Sequence, residues 1–237
     1  MVSRPYVLLS CAMSVDGYID DAGPSRLELS NSEDFDRVDA ERARADAILV
    51  GAGTVRRDDP RLLVRSPDRR RERLERGLPA SPLRVTLTAS GDLDPGRRIF
   101  AGDGAESLVY CSSPLAESLE RGLRGRAAVV ALGPALQLDA LLGDLAGRGV
   151  GRLMVEGGSS LHTALLVQGL ADELQLAVAP FLVGDPCAPR FVGPGSFPHG
   201  PANPMALAEV RRLGAVVVLR YLLRPSSSAR GGSRPGP

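Results

Sequence analysis

Two carboxylates and two arginines stand close together in D-D-P-R-L-L-V-R, Asp58 to Arg65, which V-R-R separates from an apolar run ending in G-A-G-T. A carboxylate at such a junction can move a proton or hold a polar ligand, and the planar fork of Arg65 suits bidentate contact with a phosphate. Gly51 and Gly53 read as a tight turn or a close backbone approach to a ligand, with the Thr54 hydroxyl added where amides are exposed. Pro60 disfavours helix at Asp59, so Asp58 and Asp59 read as a turn pair.

A second glycine site lies in R-L-M-V-E-G-G-S-S-L-H. Val155 ends a strand there, Gly157 and Gly158 turn the chain, and Ser159 or Ser160 can cap the helix that follows. Free amides at a helix start attract anions, and an acid such as Glu156 at the carboxyl end of a strand sits where α/β sheets bind ligands. Neither site is a Rossmann fingerprint, since Arg56 occupies the place of a third glycine and the second site lacks the spacing. Each alone reads equally as a packing turn. A third piece, S-V-D-G-Y-I-D-D from Ser14 to Asp21, contains the common turn pair Asp16-Gly17 and reads equally as an ordinary turn.

The elements that must position these residues alternate. Strands are expected at Tyr6–Met13, Ala47–Val50, Leu83–Thr88, Ser107–Cys111, Ala127–Leu132, Arg152–Val155 and Leu174–Ala179. Helices are expected at Ser32–Ala45, with Ser32, Glu33 and Asp34 at its start, at Pro114–Arg121 stopped by Gly122, at the leucine-spaced Leu138–Leu145, and at Leu161–Gln168. Ser66–Pro82, rich in arginine, reads as a solvated loop or a short surface helix. Val183–Pro204 is a Gly/Pro loop, and Ala206–Leu213 with Ala215–Leu223 suggest a closing hairpin around Gly214. The implied fold class is α/β: one domain over 1–224 with a mixed, mostly parallel sheet flanked by helices and a C-terminal antiparallel hairpin, followed by a disordered tail over 225–237.

The 237 residues suffice for a sizeable core, and 29 basic against 28 acidic side chains give no charge excess that argues for nucleic acid or an anionic membrane as partner. Cys11, Cys111 and Cys187 are far apart, so neither a disulfide framework nor a structural zinc site is indicated, no metal is expected, and a reducing cytosol fits. No apolar window is long enough for a signal segment or a membrane span.

Taken together, M-S-V-D-G, R-A-D-A-I-L-V-G-A-G-T-V-R-R-D-D-P-R-L, M-V-E-G-G-S-S-L and G-L-A-D-E-L with A-P-F-L-V-G resemble the pyrimidine reductase of riboflavin biosynthesis, over about residues 5 to 222. The resemblance implies a fold similar to dihydrofolate reductase, a homodimer, and use of NADPH to reduce the ribosylamino side chain of a phosphorylated aminopyrimidine to a ribitylamino chain. It implies a cofactor held by Met13, Leu27, Thr54, Asp58, Gly158, Ser159, Ser160, Leu161, His162, Thr163 and Ala164. Substrate groups fall to Ser25, Arg42, Leu62, Arg65 and Glu156, with Arg42 otherwise pairing with Asp39 or Asp46 on the surface. Glu156 or Asp58 relays the proton that the product needs; alternatively Glu156 only accepts hydrogen bonds from the pyrimidine. His162 is expected to cap or to lie at the surface, and His199 carries no signal.

Tyr18 stands where the bacterial members often have lysine, and Leu27 where they have tryptophan; Ser25-Arg26-Leu27 is closer to the stand-alone archaeal form. Thr88-Ala89-Ser90 replaces an acid-serine pair, leaving Arg84, Arg97 and Arg98 as candidates for a cofactor 2′-phosphate. No H-x-E with P-C-x-x-C is present, so a fused zinc deaminase is not expected. Two other readings remain open: a dihydrofolate-reductase-like enzyme acting on another pterin or pyrimidine, and a paralogue that binds a nucleotide without turnover.

Overall fold

The β-α-β rhythm of the sequence folds into one nine-stranded sheet. The computed structural model describes residues 4–23, 26–102 and 104–223, so Ser25 and the tail over 225–237 lie outside the described residues. Strands β1 (Tyr6–Ser14), β2 (Ala47–Gly51), β3 (Leu83–Leu87), β4 (Ser107–Cys111), β5 (Ala128–Ala131), β6 (Arg152–Val155) and β7 (Glu173–Ala179) pair in parallel. The hairpin β8 (Ala206–Leu213) and β9 (Val216–Leu222) adds antiparallel to β7, giving the order β5-β4-β3-β2-β6-β1-β7-β9-β8.

Helices α1 (Ser32–Arg44), α2 (Ala52–Asp58), α3 (Pro67–Glu75), α4 (Ser113–Leu123), α5 (Leu138–Gly147) and α6 (Ser159–Val167) connect them. Both faces of the central strands are covered, which is why those strands read as unbroken apolar runs. Val7, Leu9, Leu49 and Val155 pack with Leu141, Leu145 and Leu165 on one side, while Leu8, Ile48, Val50 and Met154 pack with Val55, Leu119 and Leu123 on the other. Leu138, Leu141, Leu142 and Leu145 are all buried on one face of α5, each worth about 1.5–3 kcal/mol of burial. Among the described residues no helix is long and apolar enough to cross a membrane.

Several boundaries differ from expectation for tertiary reasons. Gly51 and Gly53 do not form a tight turn: Gly51 has φ −72° and precedes α2, because fully buried Val55 draws this segment onto the sheet as a helix. Asp58 is the last residue of α2, and only Asp59 turns, in the left-handed region at φ 43° before Pro60. Gly122 does not stop α4, which runs to Leu123 because Leu119 and Leu123 share its buried face; Arg124 ends it at φ 51°. Helix α1 does start at Ser32 as expected, and Asn31 caps it by accepting from the Asp34 amide at 2.9 Å. The arginine-rich segment is the helix α3, yet Arg73 is buried and donates to the carbonyls of Ala43, Ala45 and Pro79, tying α3 to the end of α1.

Chain order places β6 late in sequence between β2 and β1. The connection from β1 therefore jumps over β6, opening a crevice at the carboxyl ends of these strands, where open α/β sheets bind ligands.

Candidate functional site

Glu156 follows β6 directly into that crevice, and Arg42 reaches it from the last turn of α1. The Arg42 guanidinium donates from Nε and Nη2 to the two Glu156 oxygens at 2.6 Å each, and from Nη1 to the Leu63 carbonyl at 3.0 Å. Both side chains are 13% exposed, so this is a mostly desolvated bidentate pair. Arg42 thus meets neither Asp39 nor Asp46 as a surface partner; Asp46 instead accepts from the amides of Gly151 and Arg152 and fixes the start of β6.

The segment after α2 passes under this pair. Leu62 is fully buried in the left-handed region at φ 53°, a conformation that costs a branched side chain about 1–3 kcal/mol and is held here by the core around it. Leu63 offers its carbonyl to Arg42, and Asp39 accepts hydrogen bonds from the amides of Arg65 and Ser66. Arg65 is left exposed, its guanidinium carbon 5.8 Å from the Phe35 ring centre and without a carboxylate partner among the described residues.

The opposite wall is the junction of α2 with the glycine pair. Gly157 and Gly158 have φ of 135° and 46°, and a Cβ on Gly158 would stand 3.2 Å from the Thr54 hydroxyl. Gly158, with ψ 154°, precedes α6, so Ser159 and Ser160 are its first residues rather than its cap. Asp58 faces Arg26, whose Nε is 3.9 Å away. Burial raises the Asp58 pKa above the usual carboxylate value; Arg26 and Arg57 oppose the shift and the Asp20 carboxylate adds to it. Asp20 itself is buried, accepts from the Leu27 amide at 2.9 Å, and pairs with Arg57 at 2.8 Å.

Leu27, Arg42, Thr54, Asp58, Arg65, Glu156 and Gly158 therefore line one cleft of about 360 Å³. The other anticipated residues lie apart from that lining. Met13 packs half-buried against the core, and Leu161 and Ala164 pack into it. Thr163 donates to the Ser159 carbonyl at 2.7 Å and accepts from the Gly193 amide at 2.8 Å, pinning the Gly/Pro loop to α6. His162 neither caps nor reaches the surface: it is completely buried, 5.4 Å from the Phe191 ring, and burial lowers its pKa to about 4, with the Val155 backbone opposing the shift. Arg84 is also buried and donates to the carbonyls of Ala101 and Ala105, while Arg98 is bound to Asp59 through its amide and Nε. Neither is free for a phosphate as arranged here.

Sequence reasoning missed the carboxylates that hold the loops. Asp20 and Asp39 sit in polar stretches that read as solvated, and only their alternation with apolar neighbours, Ile19 and Val38, hints at burial. Asp16 was visible as a turn residue, but its carboxylate accepts from the amides of Val183 and Gly184, so S-V-D-G and A-P-F-L-V-G are two halves of one joint.

A parallel sheet with its polar cleft at the strand ends, walled by an arginine-carboxylate pair and a glycine-led helix start, defines an α/β protein built to hold small polar ligands. The chain matches the RibD C-terminal domain family over residues 5–219 and belongs to it. It is 40% identical to the 2,5-diamino-6-ribosylamino-4(3H)-pyrimidinone 5′-phosphate reductase of Archaeoglobus fulgidus, over 82% of this chain and 89% of that one. It is 36% identical to the protein of the same name from Methanothermobacter thermautotrophicus, over 93% and 99% of the two chains. Its fold is similar to a pyrimidine reductase-like protein of Corynebacterium diphtheriae, with a TM-score of 0.79 at 22% identity over 94% and 93% of the chains.

Proposed function

We propose that this chain is an NADPH-dependent reductase that converts the ribosylamino side chain of a phosphorylated diaminopyrimidinone to ribitylamino, in riboflavin formation or a pathway derived from it. The observation that carries the reading is the single cleft in which the Arg42–Glu156 pair and the uncommitted Arg65 face Thr54, Asp58 and Gly158. The two archaeal relatives, aligned along most of their length, support the diamino form as substrate.

The residues fit the cofactor. Gly158 leaves open a cradle that a Cβ would narrow against Thr54, the Thr54 hydroxyl has no hydrogen-bond partner among the described residues, and the amides that begin α6 suit a pyrophosphate. When bound there, NADPH supplies the hydride. The chain's own residues do the rest, and most of it is orientation. Arg65 holds the substrate phosphate. Glu156, fixed by Arg42 through both oxygens, accepts hydrogen bonds from the pyrimidine amino groups with its remaining lone pairs. Hydride reaches the anomeric carbon only after the sugar ring has opened to an imine, and the nitrogen then takes up a proton. Asp58 is the residue suited to deliver it, because burial keeps its proton on to a higher pH than an ordinary carboxylate would.

The same reading includes a homodimer in the reducing cytosol. Edge strand β8 has Leu207 and Val210 exposed, the kind of edge that pairing with a second copy protects, and the three cysteines are unpaired. The test is oxidation of NADPH by purified protein given the diaminopyrimidinone ribosyl phosphate. Oxidation with formation of the ribityl product is expected. Bound NADPH that stays unoxidised with this substrate would overturn the assignment, and oxidation with dihydrofolate instead would move the chain to a folate-type reaction.

A further inference from the structure

Asp39 is a buried carboxylate on α1, 4% exposed, that touches the cleft yet has no assigned part in it. Its Oδ1 accepts from the Arg65 amide and its Oδ2 from the Ser66 amide at 3.1 Å. Oδ2 also accepts from Arg69 Nη1 at 2.9 Å, and Arg69 in turn donates to both oxygens of exposed Asp36, at 2.7 and 2.9 Å. Arg69 is itself fixed, because Ser66 caps α3 by accepting from the Arg69 amide.

Among the described residues, Asp39 thus grips the chain at the one place where a cation without a carboxylate partner faces the cleft. Upstream of Arg65, Leu62 is held in the left-handed region by its buried side chain, and downstream α3 begins. Between these anchors the direction of the Arg65 side chain depends on the two amides that Asp39 holds. The negative charge at Asp39 would oppose an anion in the same cleft, and Arg69, which it shares with exposed Asp36, offsets that charge in part. We propose that Asp39, backed by Arg69, is a positioning residue that sets Arg65 for the phosphate of the substrate. This rests on the reductase reading above only in taking a phosphorylated ligand at Arg65.

The experiment compares Asp39→Asn, Arg69→Gln and Arg65→Ala as full-length protein. The readouts are steady-state kinetics on the phosphorylated substrate and on its dephosphorylated analogue, and direct NADPH binding by fluorescence. Asp39→Asn keeps one acceptor oxygen, sets an NH2 donor where the second oxygen accepted and loses the charge, so one of the two amide bonds is lost and KM for the phosphorylated substrate should rise about tenfold. Its kcat should change less than about threefold, NADPH affinity should stay as in the parent, and the dephosphorylated analogue should be used equally by parent and variant. Arg69→Gln, on the outer side of the pair, should move KM in the same direction, and serves as the test if Asp39→Asn folds poorly. A fall in kcat, substrate affinity and NADPH affinity together would mark Asp39 as merely structural and overturn the proposal. Should Arg65→Ala abolish the preference for the phosphorylated substrate while both other variants keep it, the positioning role is wrong and the reductase reading survives. If Arg65→Ala also keeps that preference, the phosphate site lies elsewhere and the positioning role falls, whereas the reductase reading falls only if the parent protein leaves NADPH unoxidised with the phosphorylated substrate.

Discussion

Arg42 and Glu156, 114 residues apart in sequence, meet side by side with two hydrogen bonds of 2.6 Å, joining α1 to the end of β6 across the floor of the cleft. The pair is mostly desolvated, so each charge depends on the other.

Removing both partners should cost less than the two single removals added together. Glu156→Ala leaves the Arg42 guanidinium buried beside a neutral wall and should lower unfolding stability by about 3 kcal/mol. The double variant with Arg42→Ala should lose less than the sum of the singles, a coupling of about 0.5–3 kcal/mol in a chemical-denaturation cycle. Strict additivity would mean that the geometry has no energetic consequence.

Arg65 stands in the opposite situation, exposed and without a carboxylate partner among the described residues, so its contribution should appear only when ligand binds. Arg65→Ala should leave the melting temperature nearly unchanged and raise KM for the phosphorylated substrate by the loss of about 1.5–3 kcal/mol. NADPH affinity should be spared. Equal losses for both ligands in binding titrations would contradict the division of the cleft into a phosphate side and a cofactor side.

The glycine pair is constrained by conformation and by space. At φ 46° and ψ 154°, Gly158 holds a backbone that side chains rarely adopt, and its missing Cβ leaves 3.2 Å to the Thr54 hydroxyl. Gly158→Ala should destabilise the protein by about 1–3 kcal/mol and weaken cofactor binding. Adding Thr54→Ala should relieve the crowding and recover part of the stability, while the φ strain remains. A double variant no more stable than Gly158→Ala alone would assign the whole cost to the backbone.

What the sequence revealed follows the physics of burial. Strands such as Ala47–Gly51 were legible because coverage on both faces makes every residue apolar, and the Gly214 hairpin was legible because its turn chemistry is local. Helix α2 was not, since two glycines argue locally for a turn and only the burial of Val55 against the sheet decides for a helix. Glu156 stood out by its place at a strand end, and Thr54 and Asp58 by the motifs that carry the family resemblance. Asp39 and Asp20 did not, because a carboxylate that accepts backbone amides inside a fold has the same letter as one in solvent. Arg84 misled for the same reason: its guanidinium is itself buried and is spent on the carbonyls of Ala101 and Ala105.

His162 carries a pH dependence whose sign follows from its burial. Its folded pKa is lowered from 6.5 to about 4, so the native imidazole stays neutral where the unfolded chain already takes up a proton. Between about pH 6.5 and 4 the unfolded state therefore binds more protons, and stability falls as pH falls. The His162 contribution is fully present above 6.5 and wholly lost below about 4, a total of roughly 3 kcal/mol at 1.36 kcal/mol per unit. His162→Leu keeps an apolar side chain of similar bulk against Phe191 and removes the titration. Other groups titrate in the same range, so the quantity to measure is the stability difference between parent and variant by urea unfolding at several pH values. That difference should shift by about 3 kcal/mol in favour of the variant from pH 7 to pH 4. A difference that stays constant across this range would mean that the imidazole takes up its proton in the native state, and hence that α6 and the Phe191 loop open to admit it.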